Sequence, residues 1–331
     1  MKKFFKIVAF TFMVSAHSQD KENNVMLPLE GVPVVKTEAT YKVLIEENIS
    51  YAEGLSHQEI NSKSSKKIPL KLDLYAPDNT SKNRPVIVLI HGGGFVKGSK
   101  EVQPIVKIAN YFAERGWVAV SISYRLKKHK GTLPQEWIDY TANIPKWKIP
   151  PFMAIYPAIR DAKAAMRWVV GNAKTYGINT DYITVGGGSA GAITAIAVGI
   201  SKPEDYRDEL STTQDSSLAT TNLNQTYRVK TILDFWGGKT GLDILQKMDG
   251  NQRFSSAIPP VLIAHRIADP TVPFSNAEDL KAMYEKYKVP FAYYPLQGEG
   301  HGAWGEKVKN KSLSDLSFDF IIEQQRLKVE R

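Results

Sequence analysis

The sequence predicts an α/β protein, a doubly wound and mostly parallel sheet with helices on both faces, from three observations. Short β-branched runs alternate with longer segments whose apolar residues recur at three- and four-residue spacings. Runs such as Val86-Ile87-Val88-Leu89-Ile90 and Thr231-Ile232-Leu233 are apolar at every position, as expected of parallel strands covered by helices on both sides. A chain of 331 residues that is 43% hydrophobic has enough apolar matter for one large α/β domain with insertions.

The elements follow in chain order. Residues 1–18 read as a secretory signal peptide: Lys2, Lys3 and Lys6 form a basic start, Ile7 to Val14 an apolar stretch, and Ala16-His17-Ser18 a small-x-small cleavage site. The apolar stretch falls well short of the ~20 residues of a membrane span, so export to the periplasm or medium is expected. Residues 19–40 are polar and without period, a tail or linker, and the catalytic domain is expected to run from 41 to 331. Strands are predicted at Pro69–Ala76, Pro85–Leu89, Val118–Tyr124, Tyr182–Val185, Val229–Phe235, Pro260–Ala264 and Pro290–Pro295. Helices are predicted at Val102–Arg115, Ala158–Lys174, Ala190–Ile200, Asn276–Tyr287 and Leu313–Lys328. Two stretches break the alternation and read as surface insertions: 127–152, with aromatic residues that suit a lid, and the polar 203–228.

Composition narrows the chemistry. The absence of cysteine excludes a disulfide framework, a thiolate nucleophile and cysteine-based zinc or iron–sulfur sites, and no metal or cofactor is expected. The formal charge of +9 falls to +6 once the three lysines of the leader are removed. The remaining cations are interleaved with acids, so no nucleic-acid partner is expected.

The strongest local signal is Ile183-Thr184-Val185-Gly186-Gly187-Gly188-Ser189-Ala190-Gly191, an apolar strand running through glycines into a helical segment. Gly187-x-Ser189-x-Gly191 has the form of a nucleophile elbow, in which small flanking residues let the chain turn sharply and push the serine out over the sheet edge. The N–H of Ala190 would then face charge developing on a bound carbonyl oxygen. The same letters satisfy Gly186-x-Gly188-x-x-Gly191, a dinucleotide fingerprint, but Glu204 and Asp205 at the required distance lie in a polar insertion and not at a strand end. The stretch His91-Gly92-Gly93-Gly94-Phe95 after the strand Val86 to Ile90 supplies backbone donors free of side-chain obstruction, and Gly93 and Gly94 are the expected oxyanion donors with Ala190. The nearby Gly93-x4-Gly98-Ser99-Lys100 has serine and lysine in the wrong order for a phosphate loop.

A serine needs a histidine to take its proton and a carboxylate to orient that histidine. His301 lies in the glycine-flanked loop Gln297 to Ala303, and Asp269 lies in a proline-bounded turn after the strand Pro260–Ala264. Glu299, two residues from His301, is poorly placed to orient the same ring. The candidate triad is therefore Ser189, Asp269 and His301, at successive strand ends.

With these residues in place the sequence resembles a known family, the α/β-hydrolase carboxylesterases of hormone-sensitive-lipase type together with secreted bacterial acetyl-xylan and feruloyl esterases. The resemblance spans roughly Tyr41 to the C-terminus. It rests on Leu72-Asp73-Leu74-Tyr75-Ala76-Pro77, the His91 to Phe95 loop, Ser123-Tyr124-Arg125-Leu126, Asp161 to Trp168, the Ser189 elbow, Asp269-Pro270 and Gly300-His301-Gly302. It implies the α/β-hydrolase fold and an ester hydrolase with Ser189 as nucleophile, His301 as base, Asp269 as orienting carboxylate, and structural work near the elbow for Asp161 and Arg167. Gly188 and Ala192 depart from the pattern, since lipase-type members place an acid and a second glycine there. Short-chain or carbohydrate-linked acyl or feruloyl esters are the expected substrates, a longer-chain lipase being the alternative and a dinucleotide-binding oxidoreductase a more distant one. His91, Phe95, Trp137, Trp147, Trp236 and Arg266 are candidates for substrate contact.

Overall fold

A computed structural model describes residues 31–146 and 148–331. The expected signal peptide, most of the expected tail and Trp147 lie outside the described residues. In chain order the elements are β1 (Val34–Lys36), β2 (Val43–His57), β3 (Ser65–Pro77), β4 (Arg84–Ile90), α1 (Gln103–Ala113), β5 (Val118–Ile122), α2 (Gln135–Thr141), α3 (Ile149–Gly171), α4 (Ala173–Tyr176), β6 (Ile178–Gly188), α5 (Ala190–Ile200), β7 (Thr231–Phe235), α6 (Thr240–Asp249), β8 (Val261–Ala268), α7 (Ser275–Tyr287), β9 (Phe291–Glu299), β10 (Lys307–Val308), β11 (Lys311–Ser312), α8 (Leu313–Gln325) and β12 (Lys328–Glu330).

The main sheet has eight strands in the order β2-β3-β5-β4-β6-β7-β8-β9. From β5 to β9 every neighbour is parallel, and β3 runs antiparallel to both β2 and β5. Alternate residues of the central strands feed two cores. Val86, Val88 and Ile90 join Ile159, Met166 and Ile196 on the face of α3 and α5, whereas Ile87 and Leu89 join Ile105, Phe112 and Ile321 on the face of α1 and α8. Burial on both faces explains why these strands read as unbroken apolar runs.

Each of the seven expected strands and five expected helices overlaps an observed element. The long β2 escapes a period-2 reading because Asn48 sits at a φ of 61°, and its pairing with β3 shifts register between Glu46 and Ile49 and again between Ser50 and Ala52. Helix α3 begins nine residues before its expected start and carries Pro157 inside it, the residue that hides its first half from a helix pattern. The tail expected at 19–40 is corrected at its end: β1 pairs in parallel with β12, and Val35 is buried.

The two insertions are also more buried than expected. In 127–152, Trp137 is fully buried edge-to-face against Tyr156 and Tyr206, and its indole N–H donates to the Phe152 carbonyl at 3.1 Å. In 203–228, Asp215 is buried 3.1 Å from Arg160 and 3.7 Å from Arg125. Arg125 in turn grips Asp161 at 2.7 Å, with both side chains only 2% exposed. Burial opposes the Arg125 charge, but the Asp161 carboxylate outweighs it and raises the guanidinium pKa. Removing one member of such a pair strands the other charge, which costs about 3–5 kcal/mol. Asp161→Ala should therefore lose roughly that much stability, read as a lower urea midpoint at unchanged slope.

Asp234 on β7 is fully buried, and burial pushes its carboxyl pKa up to about 7, although the amides of Gly237 and Gly238 donate to Oδ1 at 3.1 and 3.2 Å. The folded chain therefore binds this proton more tightly than the unfolded chain, whose aspartate titrates near ~3.9. Stability from this group is present below the unfolded value and is lost as pH rises through about 7. Asp234→Asn should flatten the decline of melting temperature between about pH 4 and 7.

Candidate active site

Strand β6 ends in glycines because no side chain fits where it turns into α5. A Cβ on Gly187 would stand 2.4 Å from the carbonyl oxygen of Ile90, and one on Gly191 would stand 2.0 Å from the same atom. The chain between them takes a tight turn in which Ser189 adopts φ 56° and ψ −123°, a region that non-glycine residues enter only under constraint. Its amide donates to the Phe235 carbonyl at 2.9 Å, and its carbonyl accepts from Ala192 and Ile193 in the first turn of α5.

The histidine and the carboxylate arrive from the ends of β9 and β8, across β7 from the serine's strand. His301 follows β9, with its Nε2 2.8 Å from Ser189 Oγ and its Nδ1 2.8 Å from Asp269 Oδ2. A carboxylate only accepts, so Nδ1–H donates to Asp269 and Nε2 is left to accept the Ser189 hydroxyl proton. Asp269 follows β8 and its side chain is fully enclosed; burial opposes its charge, but the Val272 amide at 3.0 Å, His301 and the Thr271 amide at 2.8 Å prevail and lower its pKa. Glu299, the weighed rival, is exposed, and its carbonyl accepts from Arg266.

The turn that carries Asp269 has a brace that sequence reasoning passed over. His265 Nε2 donates to the Val272 carbonyl at 2.9 Å and lies 3.5 Å from Asp269 Oδ2. Burial lowers its pKa and keeps it neutral.

Beside Ser189, a cleft of about 450 Å³ is lined by Gly92, Gly93, Lys97, Trp236, His301 and Trp304 among others. A Cβ on Gly92 would come within 2.7 Å of the Gly188 carbonyl, which measures how closely the glycine loop abuts the elbow. The N–H groups of Gly93, Gly94 and Ala190 donate to no acceptor among the described residues. Gly94 is exposed and lies outside the cleft wall.

The candidate contact residues divide. Trp236 lines the cleft. Trp137 belongs to the core and does not line it, because its ring is consumed by Tyr156 and Tyr206. His91 and Phe95 are also buried away from the cleft, a correction with a clear cause. The His91 ring stacks on Tyr124 at 4.3 Å, its Nδ1 donates to the Gly92 carbonyl, and burial lowers its pKa to about 4, so it braces the loop as a neutral ring. Phe95 also packs against Tyr124, with ring centroids 6.2 Å apart. Arg266 does not line the cleft and is bonded to the Glu299 carbonyl and the Glu306 carboxylate.

Trp304, three residues beyond His301, went unnoticed in the sequence and explains the glycine at 188. A Cβ on Gly188 would lie 2.5 Å from Trp304 Cζ2 and 3.3 Å from Trp236 Cζ2. The two indoles meet edge to face at 4.6 Å, so the space of an acidic side chain is taken by an aromatic wall. Among the described residues, no group of three histidine or carboxylate side chains is arranged to hold a metal ion, and no helix is long and apolar enough to cross a membrane.

A parallel sheet with a strained serine between strand and helix, met by a histidine and an aspartate from later strand ends, defines the α/β-hydrolase class. The chain belongs to the BD-FAE family, whose model matches residues 72–148 and 146–258, more than half of its length. It is 25% identical over 243 residues to Esterase LipC of Mycobacterium tuberculosis, covering 68% of this chain and 54% of that one. It is 29% identical over 149 residues to a para-nitrobenzyl esterase of Bacillus subtilis, covering 44% of this chain and 27% of that one. The chain thus spans about half the length of the first of these curated relatives and about a quarter of the second. Among solved structures, a propionate-bound esterase of the planctomycete Thermogutta terrifontis superposes with a TM-score of 0.56 at 23% identity, over 81% of this chain and 94% of that one. A truncated carbohydrate esterase from gut microbiota superposes with the same TM-score at 18% identity, over 88% and 99%. Likenesses at these identities speak for the fold.

The wall is testable by a double-mutant cycle. Gly188→Ala should cost about 1–3 kcal/mol through the forced shift of Trp304. In a Trp304→Ala background the same change should cost much less, and additive losses in urea unfolding would remove the contact as the reason for this glycine.

Proposed function

We propose that this chain hydrolyses carboxylic esters by a serine acyl-enzyme mechanism. The observation that carries the reading is the unbroken relay from Ser189 Oγ to His301 Nε2 and from His301 Nδ1 to Asp269, both at 2.8 Å. Ser189 attacks the ester carbonyl as His301 takes its proton, and the oxygen that gains charge is received by the amides of Gly93 and Ala190, with the exposed Gly94 next in the loop as the third expected donor. His301 then protonates the leaving alcohol, and a water deprotonated by the same ring releases the acid. The lowered pKa of Asp269 favours its carboxylate form, which suits the holding of the imidazolium that forms.

The substrate class we propose is esters of short acyl chains, including acyl groups on carbohydrate. Trp236 and Trp304 line the cleft beside the serine with two bulky indoles in contact, which favours a small acyl group over a long chain. The carbohydrate esterase among the structural neighbours and the expected export of this chain accord with a substrate met outside the cytoplasm.

Initial rates on p-nitrophenyl esters from acetate to dodecanoate test the reading. Acetate and butyrate should be turned over fastest, with Ser189→Ala lowering kcat by about 10⁴-fold or more and Asp269→Asn by about 10³–10⁴-fold. Trp304→Ala should shift the preference toward longer chains. Ester turnover that survives Ser189→Ala would overturn the mechanism, and a dodecanoate preference would point to a lipase. N-terminal sequencing of the exported protein should find Gln19 first.

A further inference from the structure

At the far end of α5 from Ser189, about 16 Å away by the length of that helix, lies a second cavity of about 410 Å³. Its wall carries five basic residues, Arg167, Lys202, Arg207, Arg228 and Arg253, and no acidic one. Two of the five are answered from outside the wall, Arg207 by Asp208 and Arg253 by Asp205 and Asp249. Arg167, Lys202 and Arg228 form no ion pair with any described residue.

Arg167 is the informative one. It is only 3% exposed, and its Nε donates to the Thr221 carbonyl at 2.7 Å, yet neither of its Nη groups donates to any described residue. Burial lowers its pKa to about 10, with Arg207 and Arg160 adding to the shift and Tyr227 and Asp208 opposing it only in part. A guanidinium held in this way carries a desolvation penalty that its surroundings do not repay. Buried Lys163, which donates to the Lys202 and Asp205 carbonyls just beyond the C-terminus of α5 at 2.6 Å each, adds a further cation nearby. This arginine, expected near the elbow, lies instead toward the far end of α5, where it holds the Thr221 carbonyl and faces this cavity, while Asp161 engages Arg125.

We infer that the cavity is a binding site for a small oxyanion, a phosphate or carboxylate group held by the Arg167 fork with Lys202 and Arg228 at its rim. A guanidinium presents parallel N–H groups that match two oxygens of such an anion. The cavity exceeds the volume of a single phosphate, so a phosphorylated or carboxylated small molecule fits as well as the free ion. The site shares no lining residue with the cleft of Ser189, and the inference stands whether or not the chain is an esterase.

The test is isothermal titration of the full chain, as Ser189→Ala, with inorganic phosphate and with citrate against sodium chloride at matched ionic strength. Saturable one-to-one binding of either oxyanion is expected, with phosphate and citrate distinguishing the two anion chemistries. The rim variant Lys202→Glu with Arg228→Glu changes two exposed side chains and should weaken binding by roughly tenfold or more at unchanged melting temperature. Arg167→Lys keeps the charge but removes the fork and should weaken it likewise. The inference is overturned if neither anion binds beyond chloride, or if the rim variant binds as well as the parent chain.

Discussion

The contact of the β6–α5 turn with the carbonyl of Ile90 is the constraint on which the rest of the site depends. Gly187 and Gly191 both press on that one oxygen, at distances no side chain could occupy. With both ends of the turn held against β4, the residue between them has nowhere to go but outward, and Ser189 takes a backbone conformation that the surrounding sheet enforces. The same contact brings the glycine loop after β4 alongside the serine, because that loop begins one residue past Ile90. The serine and the glycine loop proposed to receive the oxyanion are thus placed by one packing event.

The other two members of the triad are held by different means. Asp269 is locked by two backbone amides of its own turn, and that turn is braced by a buried neutral histidine. His301 sits on a loop whose backbone is tied to Arg266, while its ring is oriented only by Asp269 and Ser189. Ring and carboxylate are therefore ordered in sequence, the aspartate first and the histidine through it, which is the arrangement a proton relay needs.

Away from the site, charge is buried where the chain crosses between layers. Arg125, Asp161, Asp215 and Arg160 join β5, α3 and the polar insertion into one network. That network explains why a stretch rich in serine, threonine and aspartate, which reads as a surface loop, contributes to the interior. Its acids are wanted there by arginines that lie far away in sequence.

The central strands were legible because burial on both faces leaves an unmistakable apolar run, and the triad because its three residues stand in glycine- and proline-marked turns at strand ends. Local pattern carried both. Strand β2 was not legible, since register shifts and a left-handed Asn48 erase its alternation, and the first half of α3 was hidden by Pro157. The reach of aromatic side chains is equally invisible in one dimension: Trp137 and Trp236 look alike as letters, yet one fills the core and the other lines the cleft. By itself the sequence determined the sheet, the elbow and the order of serine, aspartate and histidine, because each is written in neighbouring residues. Only the tertiary structure decided that Trp304 occupies the space above Gly188, that His91 braces and does not bind, and that Arg167 faces a separate cavity. Those outcomes turn on which distant side chains compete for the same few cubic ångströms.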